Sequence, residues 1–99
     1  MPDAVLRRDD FAPHLGTAFA LADGDDAIAL TLAEIQPLAS RALGDTGRQP
    51  FSLLFKADGP TILMQRTYRL AHPVMGALEI FLVPVARDDK GVSYEALFN

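Results

Sequence analysis

Two histidines, His14 and His72, and two glutamates set among apolar residues, Glu79 and Glu95, are the side chains of this sequence from which acid–base or metal chemistry could be built. A neutral imidazole binds divalent metals and exchanges protons near neutral pH, and a neighbouring carboxylate would pair with it or orient it. Their spacing does not favour such a site. There is no H-x-x-x-H pair; His14 stands just before a Gly-Thr turn, and His72 sits beside Pro73 at the lip of a hairpin. A structural role is expected instead, each ring bonded to a loop carbonyl. A hydrolase-like site using His72 and Glu79 ranks last among the readings.

The other chemistry-bearing residues are similarly plain. Asp23, Asp25 and Asp26 around Gly24 resemble a fragment of a calcium loop, but the flanking helices and terminal Glu of that motif are missing, so an acidic turn is expected. Asp88-Asp89-Lys90-Gly91 reads the same way. Ser40, Ser52 and Ser93 have no G-x-S-x-G setting, and Ser52 is expected to be solvated in mid-strand. Gly44 and Gly47 are not followed by the Lys-Ser/Thr of a phosphate-binding loop. With no cysteine, disulfides, thiol catalysis and thiolate metal sites are excluded. The sequence therefore predicts no enzyme: no catalytic, metal-binding or cofactor-binding residues.

What positions these residues is a set of alternating strands around Thr67–Val85. Tyr68 and Leu70 alternate with Thr67 and Arg69, the period of two of a strand with one wet face. His72-Pro73-Val74-Met75-Gly76 suits a hairpin with a longer loop. In the following run Leu78, Ile80 and Leu82 share one face, while Glu79, Phe81, Val83 and Val85 take the other. A strand apolar on both faces is expected to be covered on both, by its own domain or by a partner. Either Phe81, Val83 and Val85 pack under a loop or the N-terminal turn, or that mixed face is a docking surface. Its members would be Arg69, His72, Glu79, Phe81 and Val83, with Arg69 and Tyr68 as the residue types that anchor interfaces. Glu79 or Glu95 could pair across strands with Arg66 or Arg69.

Around this hairpin, residues 1–10 read as a flexible N-terminal segment and 11–99 as one domain. Asp9 or Asp10 could cap a short helical turn that sends Phe11 and Leu15 into the core. Thr17–Ala22 and the run from Ala27 flank Asp23-Gly24, a hairpin signal. Ile28, Leu30 and Leu32 alternate before Ile35 breaks the pattern, predicting a strand with a bulge or bend near Ala33 rather than a helix. Ala39–Gln49 reads as a loop, Pro50–Lys56 as a strand, Thr61–Gln65 as a short extension or edge strand, and Val92–Phe98 as a last strand pinned into the sheet. The fold class expected is all-β: a small antiparallel barrel-like domain of about six strands with a short N-terminal helical turn.

The 99 residues, 49% of them hydrophobic, suit one modest core. A net charge of −4 argues against nucleic acid, which favours a basic face. No apolar run approaches the ~20 residues of a membrane span. Residues 1–10 lack the features of a signal peptide, making cytoplasmic the default location.

The phrases His14-Leu15-Gly16-Thr17, Pro50-Phe51-Ser52-Leu53-Leu54-Phe55, Thr67-Tyr68-Arg69-Leu70, His72-Pro73, Gly76–Val85 (GALEIFLVPV) and the terminal Tyr94-Glu95-Ala96-Leu97-Phe98-Asn99 resemble the DUF6916 family of small bacterial proteins. The resemblance runs from about Phe11 to Asn99, with Leu82-Val83-Pro84-Val85 its most specific piece. It supplies no catalytic residues. An association of such proteins with phage-tail-collar-like ones implies a role in a tail-like or surface assembly. The function expected is thus a non-catalytic interaction or structural module whose partner is a protein, tail-like subunits or a second copy of the chain. The alternative is a barrel that holds a small apolar ligand.

Overall fold

The computed structural model describes residues 6–22, 28–38, 50–59 and 61–98. Six antiparallel strands close into a barrel: β1 (Ala18–Leu21), β2 (Ala29–Pro37), β3 (Phe51–Asp58), β4 (Arg66–His72), β5 (Gly76–Arg87) and β6 (Gly91–Phe98), in the spatial order β1-β2-β3-β6-β5-β4. Alternation in the sequence becomes the division between interior and exterior. Phe19, Leu30, Leu32, Phe51, Leu53, Phe55, Leu70, Ile80, Leu82 and Tyr94 point inward and are fully buried. Burying side chains of this size from water is the main driving force for closure, at about 1.5–3 kcal/mol each.

The expected bulge lies where the alternation breaks. Leu32 pairs with Phe55 but Glu34 with Leu54, so Ala33 is the extra residue in β2. A second bulge, not foreseen, separates Pro84 from Ala86 in β5 and re-aims Val85. The turn expected at Asp23–Asp26 and the loop expected at Ala39–Gln49 lie outside the described residues; β1 and β2 pair antiparallel.

Each mouth of the barrel is filled by a segment that is not strand. At one mouth, helical turn α1 (Arg8–Phe11) and a 3-10 turn (Ala12–His14) bring Phe11 against Phe98, Phe51 and Phe19, with ring centroids 5.6, 6.1 and 6.4 Å apart. This turn begins inside the segment expected to be loose, and Leu6 packs on the core. Asp10 is not the N-terminal cap; from the first turn it reaches back to accept the Arg7 N–H at 2.8 Å.

The other mouth is crossed by residues 61–65, which form no strand, contrary to expectation. In the ring order β3 and β4 stand opposite one another, so their connection has to traverse the opening. Two inward-facing tyrosines hold it. The Leu63 N–H donates to Tyr94 Oη at 2.9 Å, and the Tyr68 hydroxyl donates to the Met64 carbonyl at 2.6 Å. Leu63 thereby packs against the core. Without these bonds the strap would leave buried polar groups unpaired.

Candidate functional site

Strand parity decides which predicted site residues share a surface. Arg69 and Glu79 are directly opposite in the β4–β5 ladder and point outward, their Nη2 and Oε2 3.3 Å apart. This is one of the cross-strand pairs that the sequence allowed. Phe81 lies two residues further along the same outer face, opposite Thr67, whose small side chain leaves the ring 49% exposed. Val83 is half-buried opposite Glu95. Val85, turned by the bulge, is 50% exposed, and Leu97, next but one to Glu95 on β6, is 60% exposed. The outer wall of β4, β5 and β6 thus carries an apolar ridge, Phe81, Val85 and Leu97, beside the Arg69–Glu79 ion pair. Among the described residues no loop or N-terminal turn removes these three side chains from solvent, so of the two expected arrangements, packing under a loop or the N-terminal turn is corrected: within the chain the interior takes one face of β5 and solvent meets the other.

Two residues assigned to this surface belong inside. His72 is in phase with Tyr68 and Leu70, and all three are buried. The same parity was readable in the sequence as positions 68, 70 and 72. His72 and Glu79 therefore face opposite sides of the barrel wall and cannot share a substrate. Ser52, expected to be solvated, is buried as well.

His72 instead organises a constellation at the mouth capped by α1. Its Nδ1 accepts the backbone N–H groups of Val74 and Met75 at 3.0 and 3.2 Å, fixing the turn between β4 and β5. Its Nε2 lies 3.0 Å from Thr17 Oγ1, and that hydroxyl donates its one proton to the His14 carbonyl at 2.6 Å. Thr17 must therefore accept from His72, which places the imidazole proton on Nε2 and leaves Nδ1 as a bare acceptor. The ring bonds backbone N–H groups, not the loop carbonyl expected. His14 approaches edge-on, with ring centroids 4.5 Å apart, and Phe19 packs at 4.5 Å from the other side. Burial, and then the neighbouring His14, push the His72 pKa below its ordinary value. Sequence reading missed Thr17, whose hydroxyl joins two histidines distant in the chain. Among the described residues no three His, Cys, Asp or Glu side chains gather as a metal would require.

The described grooves are small. One, lined by Thr67, Tyr68, Arg69 and Glu79, has a volume of about 160 Å³. A second, of about 160 Å³, lies over the β3–β6 end between Lys56, Asp58, Asp88 and Lys90. Asp88 there accepts the N–H groups of Lys90 and Gly91 at 2.8 and 3.0 Å, bonds that lower its pKa. Both grooves are well below the ~300 Å³ of a typical small-molecule site. No helix among the described residues is long and apolar enough to cross a membrane.

No curated protein and no solved structure matches the chain. A family model described as a domain of unknown function does match it, over residues 6–98, which takes in the N-terminal cap, all six strands and both bulges. The chain belongs to this family, DUF6916.

Proposed function

We propose that the protein is a non-catalytic interaction module of a bacterial assembly, docking through the outer wall of β4, β5 and β6. The observation that carries this reading is the ridge of Phe81, Val85 and Leu97, three large apolar side chains about half exposed or more on the outer faces of the paired strands β5 and β6. Aromatic and apolar side chains flanked by an Arg–carboxylate pair match the core-and-rim composition of protein interfaces. Closure of the sheet bears on the mode of docking. A barrel whose strands are paired on both sides offers its side chains to a partner rather than a free edge. Tail-like subunits are the partner class in this reading, and a cytoplasmic setting accords with the absence of cysteine.

The test compares wild type with a Phe81→Asp, Arg69→Ala double variant. Tagged proteins are used for capture from the native bacterium, and each captured subunit is purified and titrated against both. A subunit that binds wild type directly, and binds the folded variant at least tenfold more weakly, supports the proposal and locates the surface. Equal binding by the two proteins overturns the assignment of this face. A concentration-dependent dimer lost in the variant would instead make a second copy the partner.

A further inference from the structure

The His14–Thr17–His72 constellation ties together three separate pieces of the molecule: the N-terminal cap, the β4–β5 hairpin turn and, through Phe19, β1. All its hydrogen bonds at His72 are made by the neutral ring. Nδ1 has a single lone pair, and both the Val74 and Met75 N–H groups point at it. A proton placed there would meet two donors and no acceptor, and the ring would have to leave. Nε2 already carries a proton, so it offers no alternative site. Among the described residues, the side chains in contact with the ring bring no counter-charge. The 3-10 turn presents His14, the residues after it Thr17, β1 presents Phe19, and the hairpin turn presents only backbone N–H groups. A carboxylate, which would stabilise an imidazolium, is absent among these contacts, and His14 would add like charge.

We propose that this constellation makes the N-terminal cap acid-labile: as pH falls below the ordinary imidazole range, proton uptake at His72 releases α1, the 3-10 turn and the β4–β5 turn from the barrel mouth while the six-stranded ladder stays closed. The sign follows from linkage. His72 takes up its proton less readily in the closed form than when freed, where its pKa is about 6.5. The closed form is favoured fully above that value and loses ground as pH falls from about 6.5 through the lowered pKa, by up to about tenfold per pH unit for one proton. Opening frees Phe11 from Phe19, Phe51 and Phe98 and uncovers an aromatic-lined mouth.

The experiment is hydrogen exchange between pH 5 and 8 on wild type and His72→Asn, with rates corrected for intrinsic exchange. An Asn carbonyl can accept the same two N–H groups without titrating. In wild type the amides of Gly16, Thr17, Val74 and Met75 are expected to lose at least tenfold protection between pH 7.5 and 5, while amides of the β3–β6 ladder keep theirs. In His72→Asn the same amides should be flat with pH. Equal pH dependence in both proteins, or none in wild type, overturns the proposal. Imidazole nitrogen shifts of wild type serve as the second measurement if the variant does not fold. They must show the Nε2–H form at pH 7.5 and protonation of His72 only as the cap amides lose protection. A protonated ring in the closed form would equally sink the idea.

Discussion

At Gly91 the backbones of β6 and β3 approach so closely that a β-carbon would overlap the Ala57 carbonyl oxygen. That oxygen belongs to a paired strand and cannot swing aside as a side chain would. Gly91→Ala should therefore destabilise the protein by about 1–3 kcal/mol, seen as a lower denaturant midpoint at unchanged slope. Gly76 differs in kind: nothing crowds it, but its φ of +81° strains any other residue, so alanine there costs conformational energy alone. Charge matters less at this scale. The Arg69–Glu79 pair is more than half exposed on both sides, and a double-mutant cycle should return a coupling below about 1 kcal/mol. Its value to the surface is in orientation and specificity rather than stability.

The caps are the elements that turn an open-ended cylinder into a filled one. Phe11 is wholly buried although it comes from a single helical turn that could not persist alone. Phe11→Ala should cost about 3–5 kcal/mol because neighbouring rings cannot collapse into the space. Differential calorimetry would show the lower melting temperature. A loss under 1 kcal/mol would mean that the cap contributes little to closing the mouth. The strap at the opposite mouth was misread from sequence because Ile62, Leu63 and Met64 form a short apolar run of the kind a strand can carry. The exposure of Ile62 and Met64 shows that they face solvent, and Leu63 between them enters the core. Alternation reports which residues face in; it does not say that a ladder partner exists.

For the molecule as a whole, the six-stranded ring separates two regions with different tasks. The outer ridge can be altered without touching the core. The Phe81→Asp, Arg69→Ala variant should keep its stability to within about 1 kcal/mol by chemical denaturation, which makes it a fair control for docking. The histidine mouth is instead wired into the fold, so changes there reach the N-terminal cap and the hairpin together. Acid lability and docking can thus be tested separately. Hydrogen exchange reads the mouth and direct binding reads the wall.

Much of this was legible in the amino-acid order. The all-β class, the six strands, the bulge at Ala33 and the inward set Tyr68, Leu70, Leu78, Ile80 and Leu82 follow from period-two alternation, because a pleated strand sends successive side chains to opposite faces. A cross-strand pair of Glu79 or Glu95 with Arg66 or Arg69 was legible too, and the β4–β5 register selects Arg69 and Glu79. What tertiary structure alone decided is closure and its consequences. Only the ring order places β3 opposite β4, makes a strap of residues 61–65 and leaves Phe81 and Val85 in solvent. Only the packed mouth brings His14, Thr17 and His72 together, since contacts between residues distant in the chain depend on how strands curl and meet, and no local pattern encodes that.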